Sequence, residues 1–212
     1  MIKAKKSLGQ NFLIDQNIID KIINTVEIKD QSILEIGPGT GNLTKNILKK
    51  NPKKVIVIEK DQQLAELLNR VIGKKIEIIN KDILHVDENA LDQNVLTVFG
   101  NLPYNISTEI LCKWILNIHD KNFWFSSLVL MFQKEVADRI ISQYNTKNYG
   151  RLSILANWKL EINKICDVKP SSFSPRPKIE SSILLFQPKL KFFKIKDSKN
   201  LEKITRIFFL HR

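Results

Sequence analysis

A chain of 212 residues, 43% of them hydrophobic, can bury one substantial core, and one main domain with a small appendage is the expected arrangement. No apolar stretch approaches the ~20 residues a membrane span needs, the best being the Ser-interrupted WFSSLVLMF at 124–132. Lys and Arg number 34 against 22 Asp and Glu, and the net charge of +12 favours a polyanionic partner over a neutral or basic one.

The first residues, MIKAKKSLGQNFL, are basic and lack an apolar signal core, so cytoplasm is the default location. Ile18, Ile19, Ile22, Ile23 and Val26 recur at helical spacing. SILEIG (32–37) predicts a strand and runs into EIGPGTGNLT (35–44), a glycine-rich turn that opens a second helix. In a doubly wound sheet such a turn lies at the carboxyl edge, where nucleotide-like ligands are met. Gly37, Gly39 and Gly41 permit positive φ and close approach of backbone to ligand. Their G-x-G-x-G spacing differs from the G-x-G-x-x-G of dinucleotide folds, and no Lys-Ser/Thr pair follows. Pro38 also removes an amide donor, which suits a ligand without a diphosphate. A plain tight turn is the competing reading.

KVIVIE (54–59) predicts a second strand ending on Glu59, placed to accept both hydroxyls of a ribose. Leu64, Leu67, Leu68 and Val71 predict a helix, and KIEIIN (75–80) a third strand. Asp82 follows in INKDIL, placed to accept from the exocyclic amine of an adenine along the sheet edge. Either acid alone also suits a helix N-cap or a solvated turn. With the glycine loop, the two describe a pocket for an adenosyl group without phosphates, and S-adenosylmethionine is the expected cofactor.

VLTVFG (95–100) predicts a fourth strand and delivers Asn101-Leu102-Pro103-Tyr104 to the same edge. An adenine N6 amine is a poor nucleophile because its lone pair is delocalised into the ring. Its methylation needs acceptors that pull the nitrogen toward tetrahedral geometry and aim it at the methyl. The Asn101 side-chain oxygen and the Leu102 carbonyl are candidates for that task, Pro103 fixes the turn without a competing donor, and Tyr104 offers a face for an extruded base. A core aromatic in an ordinary turn is the alternative. Ser107 or Thr108 can cap a helix carrying Ile110, Leu111, Trp114 and Ile115.

SSLVLMF (126–132), LEINKICDV (160–168) and ESSILLF (180–186) complete seven predicted strands, the last two spaced as a late antiparallel hairpin. Between these two, SSFSPRPKIESSI (171–183) holds Phe173 in a Pro-framed loop, a candidate for the opposite face of a base sandwich, with a bare surface turn as the alternative. The alternation predicts an α/β fold: a doubly wound, seven-stranded, Rossmann-like sheet, mostly parallel with one antiparallel late strand.

His85, His119 and His211 are scattered without metal or triad spacing, so no metal is expected and no general base is needed, because a methylated amine loses its proton readily. Cys112 and Cys166 lie far apart, fit a reducing compartment and read as buried filler. Residues 1–188 form the expected catalytic domain. Residues 189–212 form a basic connector and an amphipathic helix with Leu201, Ile204, Ile207 and Phe208 on one side, the expected start of a small C-terminal helical domain that the chain does not complete. Eight Lys/Arg stand against Asp197 and Glu202 in residues 187–212, which concentrates half of the net charge in an eighth of the chain and reads as a patch rather than as AT-biased composition alone.

At this point the sequence resembles the small-subunit ribosomal RNA adenine N6,N6-dimethyltransferases. The resemblance runs from LGQNFL (8–13) through EIGPGTGNLT, Glu59, KDIL (81–84) and NLPY (101–104) to MFQKEVADRI (131–140), YGRLS (149–153) and FSPRPK (173–178). It implies that Asn11 and Leu13 touch the cofactor, Gly37 lies under the methionine moiety, Glu59 holds ribose, Asp82 and Ile83 frame adenine, and Asn101 sits at the methyl. It further implies action on rRNA of the immature small subunit, dimethylating two adjacent adenosines near its 3′ end; a monomer is expected. Two rivals share the scaffold. The large-subunit methyltransferases that confer antibiotic resistance typically carry Ile where Leu102 stands, and a non-catalytic RNA-binding or transcription factor need not keep Glu59, Asp82 and Asn101.

Overall fold

The computed structural model describes residues 4–5, 8–118 and 123–210. His119, His211 and Arg212 therefore lie outside the described residues. The chain opens with β1 (Phe12–Leu13) and α1 (Gln16–Ile23), followed by β2 (Ser32–Ile36), α2 (Asn42–Leu48), β3 (Lys54–Ile58), α3 (Gln62–Val71) and β4 (Glu77–Ile79). Then come β5 (Leu96–Asn101), α4 (Ser107–Leu116), β6 (Phe125–Gln133), α5 (Lys134–Ile140), α6 (Arg151–Lys159), β7 (Leu160–Val168), β8 (Phe173–Ser174), β9 (Ser181–Pro188) and α7 (Ser198–Phe208).

Seven strands form one sheet in the order β4-β3-β2-β5-β6-β9-β7, and only β9 runs against its neighbours. The chain builds outward from β2 to β4, then returns to the other side of β2 to lay down β5. The carboxyl ends of β2 and β5 therefore flank a topological switch point, the place where an open α/β sheet leaves a crevice for ligand. Helices cover both faces, so strands read as near-continuous apolar runs. Alternate residues go to opposite cores: Leu34, Ile56 and Val98 pack on one side, Ile33, Val55 and Phe99 on the other.

All seven predicted strands are present, and β7 and β9 pair antiparallel as expected. Four local expectations need correction. Ser107 and Thr108 are not caps: α4 begins at Ser107, its cap position is Ile106, and Ser107 Oγ instead donates to the Tyr104 carbonyl at 3.2 Å. Val26 falls beyond the end of α1. Cys112 is buried, but Cys166 is only half-buried because β7 is the edge strand. On α7, Ile204, Ile207 and Phe208 face outward while Thr205 is buried. An Arg151–Glu202 ion pair of 3.1 Å ties that helix to α6 by a polar seam rather than by its apolar stripe.

Sequence patterning also gives no hint of the two-stranded sheet in which β1 pairs antiparallel with β8, Leu13 opposite Phe173. Two residues are too few for a periodic signal, and their pairing is long-range. This ribbon is what holds the N-terminal segment across the carboxyl edge of the main sheet.

Candidate active site

Gly37, Gly39 and Gly41 link β2 to α2 with φ of +66°, +57° and +80°. At Gly39 two requirements coincide: the positive φ, and a side-chain carbon that would lie 2.7 Å from Cδ1 of Phe12. The loop is thus shaped to receive the N-terminal strap. Gly39 N–H donates to Glu59 Oε2 at 3.2 Å, and Asp61 N–H to Glu59 Oε1 at 2.9 Å. Glu59 is buried, and burial pushes its carboxyl above the usual range despite these two amides. Each of its oxygens keeps a further lone pair for an incoming hydroxyl.

Asp82 is a cap and also lines the cavity. Its Oδ1 caps a short 3₁₀ turn by accepting from Leu84 N–H at 3.0 Å, its Oδ2 pairs with Lys60 Nζ at 2.8 Å, and its neighbour on the cavity wall is Ile83. Lys60 holds the Asp82 carboxyl below the ordinary range, so it is a charged acceptor at neutral pH.

Asn101 ends β5, and its Nδ2 donates to the Asn11 main-chain carbonyl at 2.8 Å. A carbonyl can only accept, so the amide is oriented and Oδ1 is left as the acceptor. Asn11, Leu13, Gly37, Gly39, Glu59, Asp82, Ile83, Asn101, Leu102, Pro103 and Tyr104 all line one cavity. Leu102 turns its side chain into the core, 1% exposed. Burial raises the Tyr104 hydroxyl pKa, and that hydroxyl is hydrogen-bonded to Ser181 Oγ.

Phe173 is the exception. It is 1% exposed, packs within the apolar core that also holds Leu13, Val168 and Ile183, and does not line the cavity. The expected second face of a base sandwich is not presented by it here, because pairing of β8 with β1 turns the ring inward. Phe173→Ala is accordingly expected to destabilise the fold by about 3–5 kcal/mol, as large-to-small core changes do, measured by denaturant unfolding.

Patterning missed four contributors. Phe12 packs on Gly39. Asp61, 3% exposed, accepts from Lys5 Nζ at 2.9 Å and Gln10 Nε2 at 3.0 Å, pinning the strap beside Glu59. Ser181 anchors Tyr104. Glu35, two residues before Gly37, is 2% exposed at the cavity wall, and its Oε2 has no hydrogen-bond partner. Burial pushes the Glu35 carboxyl up to about 8, with the charge of Glu59 adding to the effect. Only Glu35 carried a local signal, an acid set in an apolar strand.

A family model described as "Ribosomal RNA adenine dimethylase" matches residues 1–212. This chain belongs to that family. Among curated relatives, Ribosomal RNA small subunit methyltransferase A of Pelagibacter ubique is 66% identical over 211 residues, which span 100% of this chain and 80% of that protein. Among solved structures, a dimethyladenosine transferase from Plasmodium falciparum matches with a TM-score of 0.81 and 33% identity, covering 94% of this chain and 71% of that one. The 23S rRNA methyltransferase ErmE matches with a TM-score of 0.75 and 26% identity, over 94% and 79%.

S-adenosylmethionine is the cofactor of the ribosomal RNA adenine dimethylase family, and the residues present fit it. Two carboxyl groups, those of Glu59 and Asp82, line the cavity, with the acceptor chemistry that a ribose and an amine require. The glycines bring bare backbone to its wall, and the buried Glu35 Oε2, which has no hydrogen-bond partner, adds an unsatisfied polar atom there. Among the described residues, no cluster of His, Cys, Asp and Glu could hold a metal ion, and no helix is long and apolar enough to cross a membrane.

Proposed function

We propose that this chain transfers methyl groups to the N6 amines of two adjacent adenosines near the 3′ end of small-subunit rRNA, two methyls to each. The observation that carries the reading is the oriented Asn101 amide, whose free Oδ1 belongs to the same cavity as Gly37, Glu59 and Asp82. The cofactor, when bound, supplies an electrophilic methyl on a sulfonium. Asn101 Oδ1 and the Leu102 carbonyl accept the two N6 hydrogens, which localises the amine lone pair and aims it. Pro103 contributes no N–H to compete, and its carbonyl accepts from Ile106 N–H at 3.1 Å, which tightens the turn. Tyr104 stacks on the extruded base, its ring held by Ser181. No residue is required as a general base, since the methylated ammonium releases its proton to water.

The immature small subunit is the proposed form of the substrate, the chain acts as a monomer, and its compartment is the cytoplasm. The exposed Lys191, Lys196, Lys199, Lys203 and Arg206 supply charge that an rRNA backbone would neutralise. Mass spectrometry of rRNA from cells lacking the protein tests the reading: two adjacent small-subunit adenosines should lose both methyls, and loss from large-subunit rRNA alone would overturn it. Tyr104→Ala is expected to weaken engagement of the target base by about 1–3 kcal/mol, read as a rise in KM for small subunits.

A further inference from the structure

Lys113 lies on α4, the helix that follows the Asn101–Tyr104 loop, and its ammonium reaches the segment that follows Asp82. Its Nζ donates to the Ile83 carbonyl at 3.1 Å, to the Val86 carbonyl at 2.6 Å and to Glu88 Oε1 at 2.7 Å. Glu88 is 4% exposed, and the same oxygen accepts from Trp114 Nε1 at 2.7 Å. A carboxylate placed there without a partner would be strongly disfavoured, so the arrangement is built rather than incidental. All three acceptors belong to the 83–88 segment, whose first residue, Ile83, lines the cavity next to Asp82. At its other end, α4 is joined to the catalytic loop by the Ser107 Oγ bond to the Tyr104 carbonyl at 3.2 Å. One side chain thus ties the wall that meets the cofactor's base to the helix whose start supports the wall that meets the target base.

We propose that Lys113 is a positioning residue for the cofactor: by holding the Ile83 and Val86 carbonyls against α4, it sets where Asp82 and Ile83 stand. A ligand contact on a short 3₁₀ turn has little intrinsic rigidity, and preorganisation has to come from outside the turn. Nothing in the periodicity of α4 marks the residue, because a lysine between Cys112 and Trp114 reads as a solvated position. The inference rests on the assignment of residues 82 and 83 to the adenine side of the cavity.

The test uses the 212-residue chain, S-adenosylhomocysteine as the titrated ligand, and three variants: Lys113→Met, Lys113→Met/Glu88→Gln and Asp82→Ala. Lys113→Met alone removes the cation that pairs with the buried Glu88 carboxylate, leaving it the Trp114 indole, and is expected to lower the melting temperature, whereas the double variant removes both charges and recovers most of it. Positioning requires that the double variant, although thermally recovered, still bind S-adenosylhomocysteine about tenfold more weakly than the parent, the size typical when groups that orient a ligand's direct contacts are removed. Its KM for S-adenosylmethionine should rise while kcat at saturating cofactor stays within about threefold. Recovery of parental affinity in the double variant would overturn the inference and reduce Lys113 to a fold-stabilising ion pair. Unchanged affinity in Asp82→Ala would instead overturn the adenine-side assignment itself, so the two failures are distinguishable.

Discussion

Replacing Asn101 by alanine is expected to lower methyl transfer by about 10²- to 10³-fold while cofactor affinity stays within a few fold of the parent. The asymmetry follows from the geometry. Asn101 Nδ2 is spent on the Asn11 carbonyl, so only Oδ1 remains as an acceptor, and in the proposed reaction that acceptor serves an amine that is not part of the cofactor. Glu59, Asp82 and the glycine backbone retain their places without it. Initial rates on immature small subunits, paired with calorimetric titration of S-adenosylmethionine, separate the two quantities. Near-normal turnover by Asn101→Ala would remove the acceptor mechanism, and a collapse of cofactor affinity would make Asn101 a binding residue instead.

Stability is expected to fall as pH rises from about 4.5 to about 8, with Glu35 as the main cause. Its carboxyl, ordinarily titrating at 4.5, is pushed by burial to about 8 in the folded protein. Within that window the folded state keeps a proton that the unfolded chain has released, so raising pH favours unfolding, and the contribution is fully present only below 4.5. A shift of this size corresponds to an effect on the order of 3–5 kcal/mol. Burial raises Glu59 as well, with the same sign. At the acid end, Asp167, against its partial burial, is held down to about 2 by hydrogen bonds from Lys164, Ser182 and Lys134, so its contribution is lost as pH falls below about 3.8 toward that value. Maximum stability is therefore expected between about pH 4 and 5. Glu35→Gln, neutral at every pH, should flatten the slope above 4.5 and be more stable than the parent at pH 8. Chemical denaturation across the range checks this, and an unchanged slope in the variant would clear Glu35 of the effect.

Much of the site was legible because its parts sit at strand ends. A strand followed by a glycine turn, a strand ending on Glu59, a strand followed by Asp82 and a strand ending on Asn101 all announce themselves locally, and a parallel sheet must bring such ends to one edge. Phe173 shows where that logic stops. Its loop looks solvent-facing in sequence, yet pairing with a two-residue strand far upstream turns it into the core. Glu35 shows the same limit from the other side: a carboxylate within an apolar run is visible, but its orphaned oxygen is a property of everything packed around it. Asp61, Ser181 and Lys113 act through partners distant in the chain, and no window of sequence holds both members of any of these pairs.

Apolar periodicity and turn chemistry by themselves determined the seven strands, the doubly wound class, the edge at which the cavity opens and the acceptors that line it, because each depends on residues within one turn or one strand. Tertiary structure alone decided which aromatic faces the cavity, which carboxyl burial pushes up and which hydrogen bonds orient the Asn101 amide. Burial and long-range pairing set those outcomes, and they exist only once the two cores have closed on either side of the sheet.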